Sequence, residues 1–220
     1  FGFIRSIVKL FKEFSPNNVI AVFEGKNNKQ KRLEIYPEYK ANRSAAPEDL
    51  PEQIRSAKKF CEFFGIPCLE EFATEADDVI GSVALWAQEQ GFLTYICSAD
   101  KDLCQVVDKH IHILQTHNHN LILDQEGVSN KFGIPPEKMI DFLALVGDAS
   151  DNVPGVPGIG PKTAAALLQK FGDIDSILSS IDDVPGKKKQ QSLRENQEML
   201  MLARKLVTLD TKIPVSLPTE

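Results

Sequence analysis

Residues 147–164 read GDASDNVPGVPGIGPKTA, and they lead from alternating strand-like and helix-like patterns into an all-helical part of the chain. Asp148 and Asp151 stand three positions apart, among small residues that leave room around their carboxylates. The sequence from Asn152 to Gly155 has the composition of a turn. This first half of the stretch therefore offers two acids that could hold a metal ion beside a turn.

The second half of the stretch runs from Gly158-Ile159-Gly160 through Lys162 and Thr163 into an Ala/Leu-rich helix. A Gly-x-Gly turn at the start of a helix presents bare backbone N–H groups, and such groups suit a phosphate. The alternative is a Gly/Pro-rich loop that merely joins two helices. The phosphate interpretation is favoured because acids able to hold a metal directly precede the turn.

Two other acidic motifs lie upstream, TEADDVIG at residues 74–81 and CSADKDL at residues 97–103. Taken singly, the first resembles a helix cap with acids in the first helical turn, and the second resembles a solvated loop. However, each motif follows an apolar strand-like stretch or opens a helix, and ligands bind beyond the carboxyl ends of strands in open α/β sheets. The three motifs together supply seven carboxylates: Glu75, Asp77, Asp78, Asp100, Asp102, Asp148 and Asp151.

Carboxylates brought this close would repel one another unless cations were present. Mg²⁺ prefers oxygen ligands and keeps part of its water shell. Two such ions about 4 Å apart can stabilise both the attacking and the leaving oxygen of a phosphoryl displacement. The acids therefore predict a site for Mg²⁺ or Mn²⁺, with two ions.

The remaining pattern predicts an α/β order. The predicted strands cover residues 19–23, 66–70, 93–97, 111–114 and 121–123, the last two paired across residues 117–120. The predicted helices cover residues 4–14, 48–64, 76–90, 103–107 and 136–146, followed by helices only from Lys162 onward. Alternation of this kind predicts a mostly parallel sheet covered by helices on both faces. Residues 25–46 are polar and rich in Gly, Asn and Pro, and we expect a mobile arch or loop there.

The motifs EADDVIG, SADKDL and LVGDASDNVPGVPGIGPKTA closely resemble those of the 5′-nuclease family, which includes flap endonucleases and the 5′→3′ exonuclease domains of bacterial DNA polymerases. The resemblance extends from about residue 1 to about residue 215. It implies a PIN-like α/β nuclease domain over residues 1–146 and a helix-hairpin-helix subdomain over residues 147–220. It also implies hydrolysis of phosphodiester bonds in DNA with a 5′ end, at a flap or nick, during replication and repair.

The resemblance also implies roles for individual residues. The seven acids match metal ligands of the family. Lys40 and Arg43 match residues that steer the scissile phosphate. The implied DNA contacts are Arg32, Tyr36, Tyr39, Gly155, Gly158, Gly160, Lys162 and Thr163. A potassium ion is implied at the helix-hairpin-helix turn.

This sequence departs from the family pattern at two places. The family begins with a strand that carries an aspartate metal ligand, and the chain opens instead in the helix that should follow that strand. After the strand at residues 19–23 the family usually has aspartate, where this chain has Glu24. Glutamate can ligate a metal, but its longer side chain moves the oxygens.

Charge and composition are compatible with this assignment. The net charge is −6, but the acids concentrate in the predicted metal site, and residues 26–43 hold six Lys or Arg with interleaved tyrosines that could stack on unpaired bases. A second basic stretch is 187–189. The apolar runs are far shorter than a membrane span, and the four cysteines form no CxxC pair, so a reducing, bacterial cytoplasmic location is expected. Histidines at 110, 112, 117 and 119 are expected to line an exposed hairpin rather than to bind metal.

Three functions stay open at this point. The first is a metal-dependent 5′-nuclease, monomeric, which a polymerase domain could follow in the natural chain. The second is a duplex-binding module that has lost catalysis, which the absent first strand and Glu24 favour. The third is another acid-rich α/β enzyme, such as a phosphatase or a PIN-type ribonuclease, against which the turn at 158–162 argues.

Overall fold

The structure is a computed structural model that describes residues 2–215. The N-terminal part alternates helices and short strands, as the sequence pattern predicts. Its elements are α1 (Gly2–Phe14), β1 (Ala21–Val22), α2 (Gln30–Ile35), α3 (Leu50–Phe63), β2 (Cys68–Leu69), α4 (Ala76–Glu89), β3 (Thr94–Ile96), β4 (Ile111–Gln115), β5 (Leu121–Leu123) and α5 (Gln125–Phe132).

The strands within residues 2–215 form two small sheets rather than the single sheet that the sequence predicts. Strand β1 pairs in parallel with β2, and β3 pairs in parallel with β4. Strand β5 returns antiparallel to β4, which confirms the predicted hairpin across residues 117–120. The pairing is mostly parallel, as predicted, but β1 and β3 lie in different sheets and share no hydrogen-bonded ladder.

Helix α4 follows the prediction closely, since it begins after an extended Glu75 and is followed by Gly91, whose φ is +84°. Val79, Val83 and Ala87 recur every four residues on one face and are buried. The carboxylates of its first turn are consequently fixed in space by a helix that packs into the core. Glycine at position 91 lets the chain leave the helix in a left-handed conformation.

The C-terminal part is all-helical, as predicted from Lys162 onward. Its helices are α6 (Met139–Val146), α7 (Pro161–Phe171), α8 (Ile174–Ser179), α9 (Lys187–Glu195) and α10 (Gln197–Val207). Leu143, Leu168, Leu193 and Leu200 are fully or almost fully buried and join these helices to the same hydrophobic core as β4. Helix α5 was missed by the sequence pattern because its composition is polar and only Val128 is buried.

Three predictions about packing are wrong. Helix α1 buries no residue, although its apolar positions are spaced for one face. The helix predicted over residues 48–64 ends at Phe63, so Phe64, whose spacing with the apolar positions of that helix predicts an inward side chain, lies just beyond α3 and is 58% exposed. Residues 25–46 were predicted to be a loop that does not join the core, but they contain α2 and bury the side chains of Arg32, Tyr39 and Lys40. No helix within residues 2–215 combines the length and apolarity that crossing a membrane requires.

Candidate metal and nucleic-acid site

The acidic motifs lie at the ends of separate elements that converge. Glu75 precedes α4, and Asp77 lies in its first turn. Asp100 and Asp102 follow β3, where the Asp100 carboxylate accepts a hydrogen bond of 2.9 Å from the backbone N–H of Asp102. Glu24 follows β1, and its carboxylate accepts a hydrogen bond of 3.0 Å from the backbone N–H of Ala76 at the start of α4. Glu24 therefore lies beside the first turn of α4, as expected for a member of this site.

The loop after α6 adds the last two acids. Gly147 turns the chain with a φ of +75°, and the Asp148 carboxylate accepts hydrogen bonds from the backbone N–H groups of Ser150 (2.7 Å) and Asp151 (3.3 Å). Gly155 packs its Cα against the backbone of Val146, where any Cβ would overlap the Val146 carbonyl. Gly155 is needed to close this loop, because two stretches of backbone touch there, and its predicted contact with DNA stays a prediction.

Burial and mutual repulsion identify the acids that face one another. Burial raises the pKa of Asp77 to about 7, with further increases caused by the carboxylates of Asp100 and Glu24. Burial likewise raises the pKa of Asp102 to about 7, with further increases from Asp100 and Asp148. The contacts of two lysines agree with this, because Lys40 lies between Glu75 and Asp151, and Lys101 contacts both Asp102 and Asp148. Motifs that lie far apart in the sequence thus form one acidic cluster.

Besides Arg32, which contacts Glu75, three cationic side chains lie among these acids. Lys40 pairs with Glu75 and lies 3.4 Å from Asp151, and Arg43 pairs with Asp151. Lys101 pairs with Asp148. Although burial opposes the change, the hydrogen bond from Lys101 lowers the pKa of Asp148. Lys101 was missed as a site residue, although its position between Asp100 and Asp102 in the sequence was a usable signal.

The chemistry of the cluster suits a hard divalent cation. One carboxylate oxygen of Asp102 (Oδ1) is buried without a hydrogen-bond partner, and the nearest ammonium, that of Lys101, is 3.8 Å away. As the side chains stand, the acids are divided among lysine and arginine side chains, and over residues 2–215 no three His, Cys, Asp or Glu side chains converge closely enough to hold an ion. Metal binding would therefore require Lys40 and Lys101 to move away from the acids.

Asp78 and Arg32 have a different position from the one predicted. The guanidinium of Arg32 donates to both carboxylate oxygens of Asp78, at 2.7 and 2.8 Å, and both side chains are buried. A carboxylate with both oxygens engaged in this way is not available to a metal. Arg32 was predicted to contact DNA, but it is enclosed within the protein because Asp78 and the end of α10 surround it.

Tyr39 also lies inside the protein, with 5% of its surface exposed. Its hydroxyl donates to Glu75 (3.0 Å) and lies 3.3 Å from a carboxylate oxygen of Asp151, so the predicted stacking on an unpaired base is contradicted. Tyr36 is half-buried and packs against the core. The segment that carries these tyrosines is held down because the Lys40 backbone N–H donates to the carbonyl of Asp151 at 2.9 Å.

The predicted phosphate-binding turn has the expected form. Gly158 is exposed with a φ of +81°, Ile159 is buried, and α7 begins directly after Gly160. Lys162 is exposed, and Thr163 is half-buried, in the first helical turn. Glycine permits a left-handed conformation at both positions, but Gly160 has a φ of −90° and adopts an ordinary extended backbone.

We expect the stability of the metal-free protein to fall as the pH rises from about 4 to about 7. The carboxyls of Asp77 and Asp102 have pKa values of about 7 in the folded protein, whereas an unfolded aspartate has a pKa of about 3.9. Between these values the folded state holds protons that the unfolded state does not, so raising the pH lowers the free energy of unfolding. Urea unfolding at several pH values in EDTA checks this, and stability that is flat or rising across this window would contradict it.

Millimolar Mg²⁺ or Mn²⁺ should reverse this loss at pH 8, since an ion that binds only the folded state stabilises it by mass action. The same urea titrations with added metal measure the effect.

The whole chain matches known protein families. The family described as 5′-3′ exonuclease, N-terminal resolvase-like domain, matches residues 1–133, and the family described as 5′-3′ exonuclease, C-terminal SAM fold, matches residues 134–220. The domain boundary predicted at residues 146/147 lies 13 residues after the junction of these two matches.

Two relatives and one solved structure illustrate the similarity. The 5′-3′ exonuclease of Aquifex aeolicus is 40% identical over 100% of this chain and 74% of its own length. DNA polymerase I of Rhizobium leguminosarum is 39% identical over 98% of this chain, which spans only 22% of that protein. The T5 flap endonuclease, solved as a pseudo-enzyme-product complex with DNA and metal ions, shares the fold with a TM-score of 0.81 at 24% identity, covering 94% of this chain and 80% of that one.

These matches confirm the PIN-like fold with a helical C-terminal part that the acidic motifs and the turn at 158–160 predict. Two observations support the family assignment. The two family matches together include every residue of the chain, and the chain covers 74% of the length of the Aquifex aeolicus relative. The chain belongs to the 5′-3′ exonuclease family.

Proposed function

We propose that this protein is a divalent-metal-dependent 5′ nuclease that hydrolyses phosphodiester bonds in DNA near a 5′ end, at a flap or a nick. The observation that carries the proposal is the buried acidic cluster, in which Asp102 has an unpartnered oxygen and which adjoins Lys40. The names of the relatives agree with this activity, and the T5 enzyme was solved with DNA and metal ions.

Seven acids of the cluster would hold the metal. Their carboxylate oxygens are either free or would become free when a lysine or arginine partner moves away. The seven acids are Glu24, Glu75, Asp77, Asp100, Asp102, Asp148 and Asp151. Mg²⁺ or Mn²⁺ bound there would stabilise negative charge on the attacking and leaving oxygens. Asp78 is omitted from this set because Arg32 engages both of its oxygens.

The cationic side chains act on the substrate. We propose that Lys40 and Arg43, which reach the acids from the segment after α2, are the side chains that would turn from their carboxylate partners toward the scissile phosphate. Arg43 is half exposed and so can meet DNA directly, whereas Lys40 is buried beside Glu75. The turn at 158–160, with Lys162 and Thr163, would hold the duplex backbone, and a potassium ion would bind at the same turn.

A cleavage assay tests the proposal against its two competitors. The protein is incubated with a 5′-flap duplex, a nicked duplex and a small phosphate ester, each with Mg²⁺ and with EDTA. The proposal expects Mg²⁺-dependent cleavage of the DNA substrates and no turnover of the ester. Duplex binding without cleavage would instead identify a binding module, and turnover of the ester without preference for DNA would identify a phosphatase.

Gly160→Val should weaken duplex binding about tenfold, which corresponds to about 1.4 kcal/mol. A Cβ at residue 160 meets no atom within 4 Å and the φ of −90° suits valine, so the fold should persist while the side chain blocks close approach of a phosphate. Lys162→Ala should lower the log–log salt slope of binding by about one unit, because one phosphate contact is lost. Fluorescence anisotropy at several salt concentrations measures both effects.

The matched control for this pair is Lys170→Ala, at the other end of α7, where the ammonium donates to the carbonyl of Asp183. Parental affinity in Gly160→Val would make the hairpin a structural turn and move the DNA contact elsewhere.

A further inference from the structure

The Arg32 guanidinium is the centre of a buried network that the proposed mechanism does not use. Besides its two hydrogen bonds to Asp78, the guanidinium lies 2.7 Å from a carboxylate oxygen of Glu75 (Oε2). Its Nε donates to the carbonyl of Leu206 at 2.9 Å, and a terminal nitrogen lies 3.4 Å from the carbonyl of Thr208. One side chain thus joins α2, the start of α4 and the end of α10.

The segment that follows α10 is tied to α4 by further contacts. The backbone N–H of Asp210 donates to Asp78 at 2.9 Å, and the Asp210 carboxylate pairs with Lys31 at 2.9 Å. The hydroxyl of Ser82 on α4 accepts a hydrogen bond of 3.1 Å from the backbone N–H of Ile213. The chain after α10 is therefore hydrogen-bonded to the helix whose first turn carries the acidic motif.

Glu75 connects this network to the acidic cluster. One of its oxygens contacts Arg32 and the hydroxyl of Tyr39, and the other contacts Lys40 in the cluster. A buried carboxylate keeps one orientation only where its partners are fixed, and the partners of a metal ligand usually set how it presents its oxygens. The fork of Arg32 is fixed by Asp78 and by two backbone carbonyls.

We propose that Arg32 is a positioning residue that orients the Glu75 carboxylate and couples residues 206–210 to the metal site. The inference rests on the proposed function for its catalytic readout. Arg32 touches neither substrate nor metal and acts through Glu75. The end of α10 is accordingly part of the support of the site, although it is more than 100 residues away from Glu75 in the sequence.

The test compares Arg32→Lys with a control that breaks a similar bridge elsewhere. Lysine keeps the charge but loses the rigid fork of donors. The control is Arg204→Lys, because Arg204 joins Asp141 and Asp175 at 3.0 Å each and contacts none of the clustered acids. Three quantities are measured for each folded variant: the melting temperature, the affinity for Mn²⁺ without DNA by electron paramagnetic resonance, and the single-turnover cleavage rate with Mg²⁺.

Arg32→Lys is expected to weaken Mn²⁺ binding about tenfold or more and to slow cleavage per folded molecule by a similar factor. Arg204→Lys is expected to lower the melting temperature only. If Arg32→Lys does not fold, the double variant Lys31→Ala/Asp210→Ala replaces it, since both side chains are half exposed and their pair anchors residue 210. That variant is expected to weaken Mn²⁺ binding only about threefold, because it leaves Arg32 in place and removes only the ion pair that anchors residue 210.

If folded Arg32→Lys binds Mn²⁺ with the affinity of the parent, the inference is overturned, whatever the melting temperature. The same holds for Lys31→Ala/Asp210→Ala if that double variant is used instead. A parent protein that binds Mn²⁺ without cleaving DNA would contradict the proposed function, and the comparison of Mn²⁺ affinities would still decide the role of Arg32. A parent that binds no Mn²⁺ would overturn both.

Discussion

Asp102→Asn should slow cleavage about 100-fold or more and at the same time raise the melting temperature of the metal-free protein. The Asp102 carboxylate is largely buried, has one oxygen without a hydrogen-bond partner and is repelled by Asp100 and Asp148. Replacing the carboxylate with a neutral amide removes that repulsion and the buried charge. It also removes a proposed metal ligand, so cleavage should fall by about 100-fold or more.

A variant that loses activity but gains stability identifies an acid that serves function, because the loss of a structural acid would lower stability. For a chain of this size, each kcal/mol of stability gained shifts the melting temperature by about 2–4 °C. Thermal unfolding in EDTA at pH 8 and single-turnover cleavage with Mg²⁺ give the two values. The control is Asp124→Ala, which removes the side chain that caps α5 by accepting from the backbone N–H of Gly127.

Asp124→Ala should lower the melting temperature, because losing an N-cap costs about 1 kcal/mol of stability. It should leave cleavage unchanged, because Asp124 lies outside the acidic cluster. Cleavage near the parental rate in Asp102→Asn would remove Asp102 from the metal site. A lowered melting temperature in EDTA would show that its negative charge does not destabilise the metal-free fold.

Lys40→Ala should slow single-turnover cleavage about 100-fold or more while duplex affinity changes by less than about threefold. The ammonium of Lys40 is buried between Glu75 and Asp151, so it contributes little to the surface that meets the duplex. We propose that the Lys40 ammonium interacts with the scissile phosphate only in the transition state. An interaction made only in the transition state lowers the catalytic rate and leaves ground-state binding unchanged.

Arg43→Ala and Lys58→Ala complete this comparison. Arg43 is half exposed and pairs with Asp151, so its loss should weaken both the rate and duplex binding. Lys58 pairs with Glu70, outside the acidic cluster, and its loss should change neither. Rate measurements at saturating enzyme and anisotropy titrations in Ca²⁺ separate the two quantities. A loss of affinity in Lys40→Ala that accounts for the whole loss of rate would show that Lys40 acts in duplex binding rather than on the scissile phosphate.

Local sequence patterns predicted most helices and strands, because each depends on residues a few positions apart. Helix α4 was predicted within a residue or two from its acidic first turn and from Gly91, and the hairpin of β4 and β5 from two apolar runs separated by polar residues. The three acidic motifs were recognised for the same reason, since each is contiguous. Their nearness to one another was inferred from the strand–helix order and from the resemblance to the family.

The tertiary structure alone decided which of these residues face the site. Asp77 and Asp78 are neighbours in the sequence, yet one step around a helix turns Asp77 toward the other acids and Asp78 toward Arg32. The burial of Arg32 and Tyr39 depends on contacts with residues 36 to 176 positions away, which no local pattern carries. The sequence by itself thus determined the family, the acidic motifs and most secondary structure. The division of its charges between a metal site and a buried structural network depended on long-range packing, because a charged side chain takes its role from the partner that burial places against it.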